Sequence, residues 1–222
     1  MKMKYQLCLF DLDGTLTDPK LGITKSYQYA LKAFGIHEEL DKLTKFIGPP
    51  LRGVFKEHYG FSASEAEKAV DKFREYFSVT GLFENDVYTG IRELLKWLKD
   101  NGAVMAVTTS KATVYAAQIL EHFHLDGYFS FVSGDEMDGN LSKNGKGEII
   151  KIALDALNLE RLLSAAIIGD RKHDMLGGHD AGIDGIGITW GYGSRAELEE
   201  AGATWIVEST DELYRLIAGE SV

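Results

Sequence analysis

Apolar residues recur along the chain in two rhythms. Over residues 5–10 they run together with β-favouring side chains, then stop abruptly at Asp11-Leu12-Asp13-Gly14. Such a run, ending on turn-forming residues, predicts a buried strand that enters a loop. Between residues 18 and 83 the spacing is helical. Tyr27, Ala30, Leu31 and Phe34 share a face and Gly35 follows as a stop. Ile47-Gly48-Pro49-Pro50 predicts a second break, and Ser62 with Glu65 carries the signature of a capping box. No part of this stretch reads as a strand. It is expected to be an all-helical insert with most of its aromatics, Tyr27, Phe34, Phe46, Phe55, Phe61, Phe73 and Phe77, in its core.

From Tyr88 onward helices and strands alternate. The apolar runs predict strands at 103–107, 128–132, 165–168, 185–189 and 204–207. Helices are predicted at 91–99, 112–123, 147–157 and 174–181. Two more are opened by Ser194 with Glu197 and by Ser209 with Glu212. This alternation predicts an α/β fold: a doubly wound, mostly parallel, Rossmann-like sheet. The expected core is residues 1–17 and 84–222, with the helical insert, 18–83, after the first strand. Doubly wound sheets bind ligands beyond the carboxyl ends of their strands. Those ends carry Asp11 and Asp13, Thr109 and Ser110, and Asp170 with Asp174.

Composition narrows the partners. The chain has 222 residues and a net charge of −10, which opposes broad binding of nucleic-acid polymers and of anionic membranes. A small phosphorylated metabolite is not excluded, since a local cluster of cations and amides suffices for it. The single cysteine, Cys8, allows no intramolecular disulfide and lies in an apolar run, as an inert buried thiol would. The apolar stretch near the N-terminus is too short for a signal-peptide core, and no stretch approaches a membrane span. A cytoplasmic protein, monomeric or homodimeric, is the expectation.

Taken singly, the polar motifs are weak. An Asp-x-Asp-Gly can be a turn after a strand. Asp170 and Asp174 can be a solvated helix start, and Lys146 a solvated lysine. The stretch 135–146 resembles a calcium loop but has Lys146 where a bidentate Glu is required, so it reads as a loop that delivers Lys146. Taken together and in order, CLFDLDGTLTD, VTTSK, KGEII and IIGDRKHDMLGGHDAGI resemble the four motifs of the haloacid-dehalogenase superfamily of phosphohydrolases. The resemblance spans nearly the whole chain and places the insert where that superfamily has a helical cap. IGPPL, DGYFSFVSGDEMDGN and WGYGSRAELEEAGATWIV are similar to the phosphoglycolate-phosphatase-like branch, including a bacterial subgroup described as 5′-nucleotidase-like.

That resemblance implies a Mg²⁺-dependent phosphate monoesterase. Asp11 would be the nucleophile and Asp13 the general acid and base. Thr109 would offer its hydroxyl to phosphate, Ser110 its amide, and Lys146 its charge, beside Gly14. Asp11, Asp170 and the carbonyl of Asp13 would ligate Mg²⁺, with Asp174 orienting its waters. Thr108 is an adjacent candidate, and the family pattern Thr-Ser-Lys favours Thr109. Dehalogenases of the superfamily lack an acid at the place of Asp13, because a halide leaving group needs no proton, so its presence points to phosphate esters. Gly48 and Arg52 are candidates for substrate specificity, and Arg171, Lys172 and His173 have either a phosphate-guiding role or none. The alternatives are a phosphomutase of the same superfamily and a phospho-Asp regulatory or binding protein without turnover.

Overall fold

A computed structural model describes residues 3–137, 139, 141, 145–158 and 164–220. The chain divides into two compact units, Met1–Thr17 with Val87–Val222, and Asp18–Asp86.

The first unit is built on a sheet of six parallel strands. In chain order they are β1 (Leu7–Phe10), β4 (Val104–Ala112), β5 (Phe131–Asp135), β6 (Ala165–Gly169), β7 (Asp184–Ile188) and β8 (Trp205–Val207). Two further short strands, β2 (Thr17–Asp18) and β3 (Asp86–Val87), form a separate two-stranded ribbon where the chain passes between the units. The order across the large sheet is β5-β4-β1-β6-β7-β8. Phe10 of β1 pairs with Val107 on one side and Ile168 on the other. All four β1 residues are buried, as a central parallel strand requires. Leu7 and Leu9 point to the same face and pack with Ala106, Ile150 and Ile167. Burial pushes the Cys8 thiol up to about 12, as suits an inert core residue.

Among the described residues six helices accompany the sheet: α5 (Ile91–Asp100), α6 (Thr113–His122), α7 (Gly147–Leu157), α8 (Lys172–Ala181), α9 (Arg195–Glu200) and α10 (Thr210–Ala218). Ser194 and Ser209 cap α9 and α10 by accepting from the main-chain N–H of Glu197 and Glu212, as the sequence predicted. Two strands differ from expectation. The 128–132 run begins instead with a 3₁₀ turn at Asp126–Tyr128, and the strand starts at Phe131. The strand expected to stop at Val107 continues to Ala112 through an irregularity. From Thr108 to Ala112 β4 advances four residues while β5 advances two, from Ser133 to Asp135. A bulge of this kind re-aims side chains at a strand's end.

The second unit holds α1 (Lys20–Lys32), α2 (Leu40–Leu43), α3 (Leu51–Gly53) and α4 (Ala63–Tyr76), with π turns at Val54–His58 and Phe77–Gly81. Its core centres on Tyr27, whose ring lies 5.6, 5.5 and 5.0 Å from those of Phe46, Phe55 and Phe73. Aromatic pairs at such separations contribute about 0.5–1.5 kcal/mol each beyond burial. The capping box at Ser62 and Glu65 forms. Residues up to Asp86 group with this unit, and Glu84 shows why: its carbonyl accepts from Gly22 N–H and its carboxylate pairs with Lys25.

Candidate active site

Three strands that carry sequence motifs lie side by side, with β1 between β4 and β6, so their carboxyl ends open on one region. Asp11 leaves β1 with its main-chain N–H still bonded to the Ile168 carbonyl at 2.9 Å. The chain then turns at Gly14, whose φ of +86° suits glycine. A Cβ there would run into the Asp170 carboxylate.

Asp11, Asp170 and Asp174 are all buried, and one oxygen from each lies within 4.8 Å of the others. Lys146 faces two of them. Its Nζ is 2.7 Å from Asp11 Oδ1 and donates to Asp174 Oδ1. Lys146 sits at the start of α7 and is 3% exposed. Gly177 of α8 makes room for it: a Cβ at that position would stand 3.0 Å from Lys146 Cβ and 3.2 Å from Gly147 N. Asp174 lies in the first turn of α8, where it also accepts from Arg171 N–H at 3.0 Å. A carboxylate there gains from the helix dipole.

The charges do not balance. Burial disfavours the Lys146 ammonium, but Asp11 and Asp174 outweigh it and raise its pKa. Burial first, with Asp11 adding repulsion, pushes Asp174 up to about 6 against the pull of Lys146. Asp170 is raised well above the usual carboxylate range by burial, then by Asp11 and Asp174. Its Oδ2 accepts from Tyr192 N–H at 2.7 Å, while Oδ1 is buried with no hydrogen-bond partner among the described residues. Two of the three carboxylates therefore share the Lys146 ammonium, and the third, Asp170, keeps an oxygen without a partner among the described residues. An all-oxygen donor set with excess negative charge fits a hard divalent cation.

Asp13 has different company. Its Oδ2 is 2.8 Å from Lys111 Nζ, and Oδ1 is buried without a hydrogen-bond partner among the described residues. Burial raises its pKa, and Lys111 opposes the rise. Lys111 is the residue that sequence reasoning passed over. The visible signal was the last residue of Thr-Ser-Lys on the bulge of β4. Thr109 is buried on that bulge and its Oγ1 accepts from Lys111 N–H at 3.2 Å, whereas Ser110 is exposed. Thr108 is buried in the ladder opposite Ser133, with its hydroxyl unpartnered among the described residues.

Of the remaining candidates, Arg171 pairs with Glu197 at 2.9 Å, and the Lys172 main-chain N–H donates to the same carboxylate. His173 has its pKa lowered by burial and then by Lys172 and Arg171. Within the helical unit, Gly48 turns with φ +103° and Arg52 Nε pairs with Glu67 at 2.6 Å. Part of the loop before Lys146, at 138, 140 and 142–144, lies outside the described residues.

A parallel sheet with a carboxylate cluster and a buried lysine at its carboxyl edge suits chemistry on phosphate. A family model for haloacid dehalogenase-like hydrolases matches residues 8–188, and the chain belongs to that family. A Pseudomonas aeruginosa protein named 5′-nucleotidase is 47% identical over 199 residues, covering 88% of each chain. Tyrosine-protein kinase PtkA of Mycobacterium tuberculosis is 38% identical over 205 residues, covering 91% of this chain and 68% of its own. A crystal structure of a predicted phosphatase from Clostridium acetobutylicum superposes with a TM-score of 0.88 at 48% identity, covering 95% of this chain and 97% of that one. The protein is thus an enzyme, a phosphatase of the haloacid-dehalogenase type, and its substrate is a small phosphorylated molecule. No helix among the described residues is long and apolar enough to cross a membrane.

Proposed function

We propose that the protein hydrolyses nucleoside 5′-monophosphates with Mg²⁺, through a phospho-aspartate on Asp11. The observation that carries this reading is the buried group of Asp11, Asp170 and Asp174, two of which, Asp11 and Asp174, face the Lys146 ammonium. The choice of a nucleotide over phosphoglycolate rests on the 47% identity to the P. aeruginosa 5′-nucleotidase.

Asp11 and Asp170 would hold the metal with the Asp13 carbonyl, and Asp174 would bind its water shell. The bound cation would supply charge that offsets repulsion between a carboxylate nucleophile and a dianionic ester. An Asp11 carboxylate oxygen attacks phosphorus and the ester P–O bond breaks. The departing alkoxide takes the proton of Asp13, whose pKa burial raises, the direction a general acid needs. Asp13, now a carboxylate, takes a proton from water as that water opens the acyl phosphate, freeing Asp11 and phosphate. Lys146 keeps positive charge beside Asp11 throughout, and Thr109, the Ser110 amide and Gly14 line the phosphate. In the helical unit, Gly48 and Arg52 set specificity. Arg52 would meet a second anion by exchanging it for Glu67.

The test is phosphate release from nucleoside monophosphates, phosphoglycolate and an aryl phosphate, with Mg²⁺ or EDTA, beside Asp11→Asn. Release that needs both Mg²⁺ and Asp11, with nucleotides fastest, is expected. Release by folded Asp11→Asn at the wild-type rate would refute covalent catalysis at Asp11. Phosphate release also reads water directly as the acceptor, which separates this chemistry from that of the kinase relative.

A further inference from the structure

After β7 the chain runs Trp190-Gly191-Tyr192-Gly193, and this loop lies hard against Asp170. The Tyr192 main-chain N–H donates to Asp170 Oδ2 at 2.7 Å. A Cβ on Gly191 would collide with the Asp170 side chain and the Gly14 carbonyl oxygen, and one on Gly193 with the Asp170 carbonyl oxygen. Only glycine lets the main chain come so near at both places. The loop is also tied to the turn after β1. The Trp190 indole N–H donates to the Thr15 carbonyl at 3.1 Å, and the Tyr192 ring comes within 3.0 Å of where a Gly14 Cβ would be.

A carboxylate free to rotate can offer either oxygen to a cation. With one oxygen held by a main-chain amide, its plane is fixed and the other becomes the donor. For Asp170 that other oxygen is Oδ1, the buried atom with no partner among the described residues. We infer that residues 190–193 are a positioning element for the metal site: the Tyr192 amide and the two flanking glycines hold Asp170 so that Oδ1 is presented to the cation, and the Trp190 indole ties this clamp to the Asp11–Thr15 turn. This rests on Asp170 being a metal ligand. Groups that orient metal ligands typically change metal affinity or activity about 10–100-fold when removed.

The experiment measures Mn²⁺ affinity directly, from the paramagnetic resonance signal of free Mn²⁺ without substrate, in the full chain. Gly191→Ala intrudes on Asp170, and its Mn²⁺ dissociation constant should rise about tenfold or more. Trp190→Phe keeps the ring and removes one hydrogen bond, for an expected rise of about three- to tenfold. It decides the matter by itself if Gly191→Ala does not fold. With saturating metal, both variants should keep a near wild-type KM for an aryl phosphate, which general loosening of the fold would not spare. Wild-type Mn²⁺ affinity in folded Trp190→Phe and Gly191→Ala, with binding lost in Asp170→Asn, would overturn the loop's role alone. Undiminished binding in Asp170→Asn would remove the metal-site reading and this inference with it.

Discussion

Replacing Lys146 by Met is the sharpest test of the charge arrangement. The substitution keeps length and an apolar stem but deletes the ammonium that faces Asp11 and Asp174. Both carboxylates are largely buried, so water is a poor replacement for the lost charge. Breaking a buried pair by removing one partner costs about 3–5 kcal/mol. That is a large part of the roughly 5–15 kcal/mol by which domains are stable. The pH dependence follows from the direction of the shifts. A carboxyl whose native pKa lies above its unfolded one binds more protons in the native state, so its contribution is lost as pH rises. For Asp174 this loss runs from the unfolded value of about 4 to a native value of about 6. Without Lys146 the native pKa of Asp174 rises further, and the deficit widens with pH. Urea unfolding in EDTA at pH 5.0 and pH 7.5 measures it for wild type and Lys146→Met. A deficit of under about 1 kcal/mol at pH 7.5, where about 3–5 is expected, would refute the reasoning. So would a deficit that shrinks as pH rises.

Lys111→Ala removes the main opposition to burial of Asp13, so the Asp13 pKa rises and the pH optimum of kcat moves upward; an unmoved profile would separate Lys111 from the acid–base step. Gly14→Ala forces a side chain onto a φ of +86° and into the Asp170 carboxylate, and should lower kcat more than tenfold, of the order expected when a ligand is displaced. Ser62→Ala removes the cap of α4 and should cost about 1 kcal/mol in urea unfolding with kcat unchanged.

The strands that hold the site were legible because each is a short apolar run ended by polar residues. Residues 5–10 and 165–168 stop at acids, and those acids, Asp11 and Asp170, meet in the structure. Local signals also carried the helix starts at Ser62, Ser194 and Ser209, whose caps need only a residue three positions on. The extension of β4 past Val107 was not legible. Thr109, Ser110 and Lys111 read as a polar loop, and only pairing with β5 shows that the strand resumes at Ala112. Arg52 was ambiguous for a related reason: its partner Glu67 lies on another helix, at a separation no periodic pattern reveals.

The same distinction explains why the carboxylates were found and their supports were not. An acid at a strand end announces itself through its neighbours in sequence, and the order of strands in a doubly wound sheet brings such ends together. Lys111 reaches Asp13, Tyr192 reaches Asp170 and Trp190 reaches Thr15 across long stretches of chain that hold several elements. Nothing local marks those pairs. Glycine is their trace in the sequence, because a main chain that approaches a carboxylate must shed its side chain. Gly14, Gly191 and Gly193 all abut Asp170, and Gly169 abuts Asp174 in the same way. Glycines beside acidic strand ends are therefore evidence about the carboxylate cluster as well as about turns.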